Sequence, residues 1–200
     1  MVNKKPSLLL IEAHHEPSPA DLKFYLDWLS PQFEISNVYI KNLATTNVNQ
    51  DCIVVTGSKW QFDKNPVPET LTDLYLETNK PVLAICWGHQ ALASAYGARI
   101  TKKSFIERSE TIRVEESDKI LDELGLFFTV WESHYEHVVP DGKLKRNFHI
   151  RAYSDSCKVE VIKHKNKPLW GVQFHPERSK IVGRQMAANL ARIALRPPTL

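Results

Sequence analysis

A single cysteine, Cys86, stands where an apolar run changes into a helical pattern. The run Pro81–Ile85 is typical of a buried strand, and after Gly88 the sequence continues as a helix that ends with Gly97 at the C′ position. Such a strand–turn–helix resembles a nucleophile elbow, with sulfur in place of the usual hydroxyl. The start of a helix favours a thiolate through its dipole and its free N–H groups. Cys86 is therefore a candidate nucleophile, although by itself it is equally consistent with a buried structural thiol.

A second candidate segment is Leu169–Glu177, in which an apolar strand ends at His175. Pro176 biases the preceding residue toward an extended backbone, where residues i and i+2 point to the same side. His175 and Glu177 should then lie side by side, so that the carboxylate fixes the tautomer of the imidazole. Because strand ends gather at one edge of a parallel sheet, Cys86 can meet this pair and form a nucleophile–base–acid set. The alternative is a surface histidine and glutamate in an ordinary turn.

Composition and charge narrow the class of protein. Of the 200 residues, 42% are hydrophobic and 24% charged, which is ordinary for one soluble globular domain spanning residues 1–200. The net charge of +3 is too small to argue for a nucleic-acid partner. Three cysteines far apart in sequence argue against a disulfide framework and for a reducing compartment. The first apolar run is too short for a signal or membrane segment, so we expect a cytoplasmic protein without membrane contact.

Periodicity predicts an α/β fold. The first half reads β-α-β-β-α-β-α with apolar strands, which indicates an open, mainly parallel sheet with helices on both faces, in three layers. The second half has strands with polar alternation, for which we expect a small antiparallel sheet. The predicted strands are Ser7–Glu12, Phe33–Ile40, Cys52–Thr56, Pro81–Ile85, Arg99–Thr101, Glu107–Val114, Phe127–Ser133, Phe148–Tyr153, Val159–His164 and Leu169–Phe174. The predicted helices are one that starts after Ser18 and stops at Pro31, then Glu69–Asn79, His89–Tyr96, Ser117–Leu124 and Ile181–Ala194.

Several stretches together resemble one protein family. Pro81–Gln90 resembles the P-h-L-G-I-C-x-G-H-Q stretch of class I (triad-type) glutamine amidotransferases, and Trp170–Glu177 is similar to their G-V-Q-F-H-P-E stretch. Trp131–Val138 resembles the S-H-x-D-x-V stretch of the glutaminase part of GMP synthase. Ser154–Glu160 resembles the free-standing glutaminase subunit of archaeal two-part GMP synthases. The resemblance covers most of residues 52–177 and implies the family's flavodoxin-like fold.

The resemblance implies a glutaminase that needs no cofactor. By position, Cys86 would attack the side-chain amide of glutamine and form a γ-glutamyl thioester. His175 would transfer the protons, and Glu177 would orient it. The implied oxyanion donors are the backbone N–H groups of Trp87, Gly57 and Ser58. The implied glutamine-binding residues are Gln90, Ser133, His134 and Glu107.

The family also implies a partner that receives ammonia. The sequence has no P-loop, so a separate ATP-dependent synthetase would activate the acceptor, with a GMP-synthase-type ATP pyrophosphatase as the leading candidate. Two alternatives stay open: a stand-alone hydrolase of another γ-glutamyl amide, and an inactive amidotransferase-like regulatory protein. The second alternative draws on Thr56–Lys59, which reads T-G-S-K where the family has S-G-G-P, because serine restricts φ more than glycine.

Metal binding is the remaining possibility to consider. His14–Glu16 and Glu132–His137 both lack the Cys/His spacing of structural zinc sites, so we expect no metal. We interpret the first segment as a loop and the second as the wall of a substrate pocket. Lys163–Lys167 is typical of a solvated hairpin turn, and Cys52 and Cys157 are typical of structural thiols.

Overall fold

One mixed sheet of nine strands organises the described residues, 4–14 and 16–196, of the computed structural model. Its strands are β1 (Ser7–Glu12), β2 (Glu34–Tyr39), β3 (Cys52–Val55), β4 (Val82–Ile85), β5 (Ile100–Val114), β6 (Phe127–Val138), β7 (Phe148–Tyr153), β8 (Val161–His164) and β9 (Leu169–Val172). The helices are α1 (Pro19–Leu29), α2 (Glu69–Glu77), α3 (Trp87–Ala95), α4 (Gly142–Asn147) and α5 (Lys180–Ala194). Short 3₁₀ turns cover Ile40–Thr45, Lys119–Leu121 and Pro176–Arg178. His15, in one of the segments considered for a metal, lies outside the described residues.

The sheet has a parallel half and an antiparallel half. Its spatial order is β2-β1-β3-β4-β9-β8-β7-β5-β6. Pairing is parallel from β2 to β9 and antiparallel from β9 to β6. The predicted α/β class is confirmed, but the antiparallel strands extend the main sheet instead of forming a separate one. The antiparallel half curls back toward β9, which brings Trp131 on the edge strand β6 into an isolated bridge with His175 just after β9.

The core lies on both faces of the parallel half. On β1, Leu8 and Leu10 belong to the cluster that includes residues of α1 and α5, while Leu9 and Ile11 belong to the cluster with residues of α2 and α3. Burial on both faces explains why these strands read as continuous apolar runs. Each fully buried leucine or isoleucine contributes about 1.5–3 kcal/mol relative to an exposed one.

Helix α1 begins, and helix α3 ends, at the predicted signals. Ser18 caps α1 and accepts a hydrogen bond from the Asp21 amide at 3.4 Å, with Pro19 as the first helical residue. Gly97 follows α3 with φ of 81°, and its N–H donates to Ser94 at 2.8 Å, as in a Schellman motif. Among the described residues, no helix is both long enough and apolar enough to cross a membrane.

Two local predictions are wrong. The two strands predicted between residues 99 and 114 are one strand, β5, in which the pairing with β6 shifts register between Lys102 and Ile106. A bulge of this kind bends a strand without ending it. The helix predicted for Ser117–Leu124 is only the 3₁₀ turn Lys119–Leu121, which Asp118 caps by accepting a hydrogen bond from the Ile120 amide.

Candidate active site

Cys86 occupies a strained turn between β4 and α3. Its φ of 49° lies in the left-handed region, which side chains other than glycine adopt at an energetic cost. The Cys86 amide donates to the Val172 carbonyl at 2.8 Å, and the Gln90 amide donates to the Cys86 carbonyl at 3.1 Å. Gly88 allows α3 to approach β3 closely, since a Cβ there would lie 3.0 Å from the Val55 carbonyl oxygen. The strand–turn–helix geometry predicted around Cys86 is therefore present.

His175 and Glu177 lie side by side, as the spacing predicts. Nδ1 of His175 is 2.6 Å from Oε1 of Glu177, whose side chain is 2% exposed. Nδ1 therefore carries the proton of this hydrogen bond, while Nε2 is buried without an aligned partner. Burial by itself lowers the pKa of His175, but the interactions with Glu177 and Cys86 outweigh it and raise this pKa well above its usual value. The imidazole is thus poised to hold a proton beside the cysteine.

Strand β6 fixes the backbone of His175. The His175 amide donates to the Trp131 carbonyl at 2.9 Å, and the Ser179 hydroxyl donates to the His175 carbonyl at 2.6 Å. The Trp131 amide in turn donates to the Ser179 hydroxyl at 3.0 Å, which closes a ring of three hydrogen bonds. These three hydrogen bonds fix the backbone of His175, so the position of its imidazole does not depend on a free loop.

Two cavities meet at Cys86. The larger cavity, about 400 Å³, is lined by all of the predicted glutamine-binding residues: Gln90, Glu107, Ser133 and His134. The smaller cavity, about 100 Å³, lies on the side of His175 and Glu177. Ser58, Lys59 and Ser133 border both cavities together with Cys86. An amide bound in the larger cavity would therefore lie against the sulfur, while His175 borders the smaller cavity on the other side of Cys86.

The loop after β3 meets Cys86 and His175 at Gly57. A Cβ on Gly57 would lie 3.1 Å from Cε1 of His175, a tight contact that would force the imidazole or the loop to shift by a few tenths of an ångström. The Gly57 amide donates to the hydroxyl of buried Tyr25 at 3.0 Å and is not free to bind an oxyanion. The amide of Trp87 begins a helix and has no intrahelical acceptor. Of the predicted donors, the Trp87 amide is therefore available, the Gly57 amide is already used, and Ser58 stays a prediction.

The loop that carries Ser58 is anchored on α3 and β6. The ring of Trp60 meets the ring of Trp87 edge-on at 5.1 Å, and Phe62 lies 6.1 Å from the same ring. The Phe62 amide donates to both carboxylate oxygens of Glu136, at 3.0 and 3.2 Å. Burial raises the pKa of Glu136. These contacts tie one proposed oxyanion donor to the element that carries the other.

A relay of side-chain amides reaches the sulfur, and sequence reasoning missed its central member, Gln173. Nε2 of Gln90 donates to the Glu136 carbonyl at 2.6 Å and to Oε1 of Gln173 at 3.0 Å. Nε2 of Gln173 then donates to Sγ of Cys86 at 3.7 Å. The signal was available, because Gln173 precedes His175 by two residues in an extended segment. Both protons of Nε2 of Gln90 are used, so only its Oε1 can meet a substrate.

The other candidate segments have structural partners. Among residues 4–14 and 16–196, no group of three or more His, Cys, Asp or Glu side chains has the arrangement of a metal site. Cys52 and Cys157 are buried free thiols, and burial raises the pKa of both. Nδ1 of His164 accepts hydrogen bonds from the amides of Asn166 and Lys167, as expected for a hairpin turn.

Comparison with known proteins identifies the family. The sequence model described as "Glutamine amidotransferase class-I" matches residues 24–192. The chain belongs to this family. This amidotransferase chain is 40% identical over 123 residues to a subunit of the glutamine-hydrolyzing GMP synthase of Methanococcus aeolicus, over 60% of this chain and 64% of that protein. It thus spans less than two thirds of the length of this curated relative.

Solved structures share the fold of this amidotransferase chain. A Thermoplasma acidophilum structure assigned to a GMP synthase subunit superposes with a TM-score of 0.78 at 25% identity, covering 93% of this chain and 94% of that one. A glutamine amidotransferase of Thermotoga maritima superposes with a TM-score of 0.74 at 14% identity, over 96% and 100% of the two chains. The second likeness concerns the fold alone.

Proposed function

We propose that the chain is a glutaminase that hydrolyses the side-chain amide of glutamine through a thioester on Cys86. The observation that carries this proposal is the junction of the strained Cys86 turn with the buried His175–Glu177 pair, at the edge of a cavity lined by the predicted glutamine-binding residues. We further propose that the ammonia passes to a separate, ATP-dependent synthetase of GMP-synthase type. The similarity to proteins named as subunits of GMP synthase supports this kind of partner.

In the first half-reaction, the Cys86 thiolate attacks the side-chain carbonyl carbon of glutamine and forms the C–S bond. The carbonyl oxygen becomes an oxyanion, which accepts hydrogen bonds from the amides of Ser58 and Trp87. Nε2 of protonated His175 gives its proton to the amide nitrogen. The C–N bond then breaks, and ammonia leaves the γ-glutamyl thioester.

In the second half-reaction, a water molecule replaces ammonia beside the thioester. His175, now neutral, takes a proton from this water through Nε2, and the hydroxide attacks the thioester carbon. The C–S bond breaks, glutamate leaves, and the Cys86 thiolate is restored. The raised pKa of His175 favours the imidazolium beside the thiolate, and the Gln173 amide donates to the sulfur.

The alternative of an inactive scaffold loses its main argument. It relied on Ser58 in place of a glycine. The φ angles of Gly57 and Ser58 both lie outside the left-handed region, so serine fits this loop without strain. Hydrolysis of another γ-glutamyl amide uses the same residues and differs only in the occupant of the larger cavity.

The test combines turnover with labelling of the nucleophile. Glutamate release from glutamine is measured for the purified chain, alone and with a GMP-synthase-type synthetase partner and its nucleotide substrates. An electrophilic glutamine analogue should label Cys86, and Cys86→Ser should fold yet lose both labelling and activity. Cys52→Ala is the matched control and should keep both, because Cys52 is buried on β3. Absence of turnover and labelling under every condition would sink the proposal, and turnover of other γ-glutamyl amides alone would favour the stand-alone hydrolase.

A further inference from the structure

Two buried glutamates, Glu132 and Glu160, lie outside the triad and next to the wall of the larger cavity. Both residues are 0% exposed, and their carboxyl groups lie close enough for each to influence the pKa of the other. Glu132 is on β6, and Glu160 directly precedes β8, whereas β6 and β8 are not neighbours in the sheet. Their contact therefore crosses the inside of the curled antiparallel half.

The position of His134 requires one proton between its ring and Glu132. Nδ1 of His134 lies 3.1 Å from the carbonyl oxygen of Glu136, an acceptor, so Nδ1 carries a hydrogen. Nε2 of the same ring lies 3.1 Å from Oε2 of Glu132, although the ring is not aligned for a strong hydrogen bond. With a neutral ring and an ionised carboxylate, two lone pairs would face each other in a buried site. A proton on either group removes this repulsion.

A second proton is required between the carboxyl groups. Two adjacent buried carboxylates repel each other and can only accept hydrogen bonds, so Glu132 and Glu160 attract each other only when one of them holds a proton. None of their four carboxyl oxygens has an aligned hydrogen-bond donor among the described groups. Two protons make the cluster of His134, Glu132 and Glu160 neutral overall, which avoids the large cost of an unpaired buried charge.

The electrostatic environment agrees with this proton count. Burial raises the pKa of Glu132 to about 7 and that of Glu160 well above its usual value, whereas it lowers the pKa of His134 to about 4. The titratable and charged groups that face the cluster are Lys103, Arg108 and Glu110 on β5, Glu136 and His137 on β6, His89 on α3, Cys157, and His175. Arg108 is paired with Glu110 at 2.8 Å, so it is not dedicated to Glu132.

Both ends of the carboxyl pair are connected to the catalytic residues. Next to Glu132, the Trp131 carbonyl accepts the hydrogen bond from the His175 amide at 2.9 Å. The carbonyl of Glu160 accepts the amide of Gln173 at 2.8 Å, and Gln173 contacts the sulfur of Cys86. The pair therefore links the two segments that carry the pocket wall and the base.

We propose that Glu132 and Glu160 are positioning residues whose shared proton closes the curled sheet and sets His134 and His175 around the substrate. The kinetic part of this inference rests on the proposed glutaminase function, and the structural part does not. When the pair loses its proton, the buried charge repels the neighbouring carboxyl group and loosens the wall that His134 forms. The result is weaker substrate binding at alkaline pH.

The first experiment follows stability without substrate. Glu132→Gln keeps the shape and the hydrogen-bonding capacity of the neutral acid but does not titrate. An acid whose pKa is raised in the folded state contributes its full stabilisation at pH values below its pKa in the unfolded state. This stabilisation is lost as the pH rises from the unfolded-state pKa to the folded-state pKa. Between about pH 4.5 and pH 7 the melting temperature of the wild type should therefore fall, relative to the variant, by roughly 5–10 °C. Glu34→Gln, at an exposed position on β2, should show no such relative shift.

The second experiment measures KM for glutamine across the same series. Above about pH 7 the wild-type KM should rise about tenfold, and this rise should be absent in Glu132→Gln and Glu160→Gln. Glu132→Met, which keeps the volume but removes the hydrogen bonds, should raise KM about tenfold already at neutral pH. A purely structural role would not predict that Glu132→Gln keeps the normal KM while Glu132→Met does not, nor that the pH profile of KM changes.

The outcomes separate the two proposals. If Glu132→Gln weakens binding as much as Glu132→Met at neutral pH, or if its melting temperature follows the wild type at every pH, the shared-proton inference is overturned. If the stability shift appears but no variant or wild type releases glutamate, the carboxyl pair is upheld and the glutaminase proposal fails. A stability shift with an unchanged KM profile would overturn the positioning role.

Discussion

The side-chain amide of Gln173 donates a hydrogen bond to the sulfur of Cys86 at 3.7 Å. Gln173 is wholly buried, and its Oε1 accepts a hydrogen bond from Nε2 of Gln90, which lies on α3 one turn after Cys86. The orientation of the Gln173 amide is therefore fixed. A fixed donor stabilises negative charge on the sulfur before the substrate arrives. The proposed nucleophile therefore has a side-chain donor in addition to the start of α3.

Gln173→Leu should slow the reaction of Cys86 with an electrophilic glutamine analogue about tenfold at neutral pH, because the sulfur loses its donor. The second-order labelling rate measures this effect. Gln185→Leu, on α5, is the matched control, since Gln185 hydrogen-bonds to Glu123 and Asn189 away from the cavities. An unchanged labelling rate in Gln173→Leu would show that this contact is not used.

Gly57→Ala should lower kcat by about 10²-fold or more, because the added Cβ would lie 3.1 Å from the ring of His175 and 3.3 Å from Cβ of Cys86. The displacement of either side chain misaligns proton transfer. Gly142→Ala is the control, since a Cβ there meets no atom within 4 Å. The control should keep full activity and gain about 0.4–1 kcal/mol in the free energy of unfolding. Full activity in Gly57→Ala would mean that the loop is mobile enough to move away.

Tyr25→Phe should lower kcat about tenfold and leave KM within about twofold, because the Gly57 amide loses its acceptor and the loop beside Ser58 loosens. Steady-state kinetics separates the two constants. Tyr96→Phe also removes a hydroxyl that donates to a backbone carbonyl, that of Tyr75 at 2.9 Å, and should leave kcat unchanged. A change in KM alone would place Tyr25 in substrate binding and contradict the role in the loop.

His137→Leu should make the protein relatively more stable at acidic pH. His137 is 2% exposed, neither ring nitrogen has an aligned hydrogen-bond partner, and burial lowers its pKa to about 3. A histidine whose pKa is lowered in the folded state contributes its full stabilisation at pH values above its unfolded-state pKa of 6.5. This stabilisation is lost as the pH falls below 6.5. Below that pH the wild type should lose up to about 1.4 kcal/mol per pH unit relative to the variant.

Urea unfolding from neutral to acidic pH measures this difference. Glu132 and Glu160 also titrate, but their ionisation lowers stability as the pH rises. Because both proteins contain them, the difference between wild type and variant reports the titration of His137 alone. His149→Leu, at an exposed position on β7, is the control and should follow the wild type. Parallel curves for wild type and His137→Leu would mean that water reaches the ring and that it titrates normally.

Local features of the site could be predicted from the sequence. The turn at Cys86 is encoded within a few residues by an apolar strand, a small Gly88 and a helix that Gly97 ends. The neighbouring positions of His175 and Glu177 follow from their spacing in an extended segment. The short helix α4 was not predicted, because six residues are too few for a helical period to appear.

The contacts that complete the site could not be predicted, because they join residues far apart in the chain. In the loop after β3, the Gly57 amide is not free, because it donates to the hydroxyl of Tyr25 on α1, which is 32 residues away in the chain. That the antiparallel strands extend the main sheet depends on the pairing of β8 with β9, which no local pattern specifies.

The sequence by itself determined the family motifs, the strand–turn–helix that presents Cys86, and the pairing of His175 with Glu177, because short-range backbone geometry sets all of these. Only the tertiary structure decided that the antiparallel half curls until Glu132 meets Glu160. The physical reason is that the charge state of a buried carboxyl group depends on what surrounds it in space. In sequence, Glu132 and Glu160 read as two ordinary acidic residues.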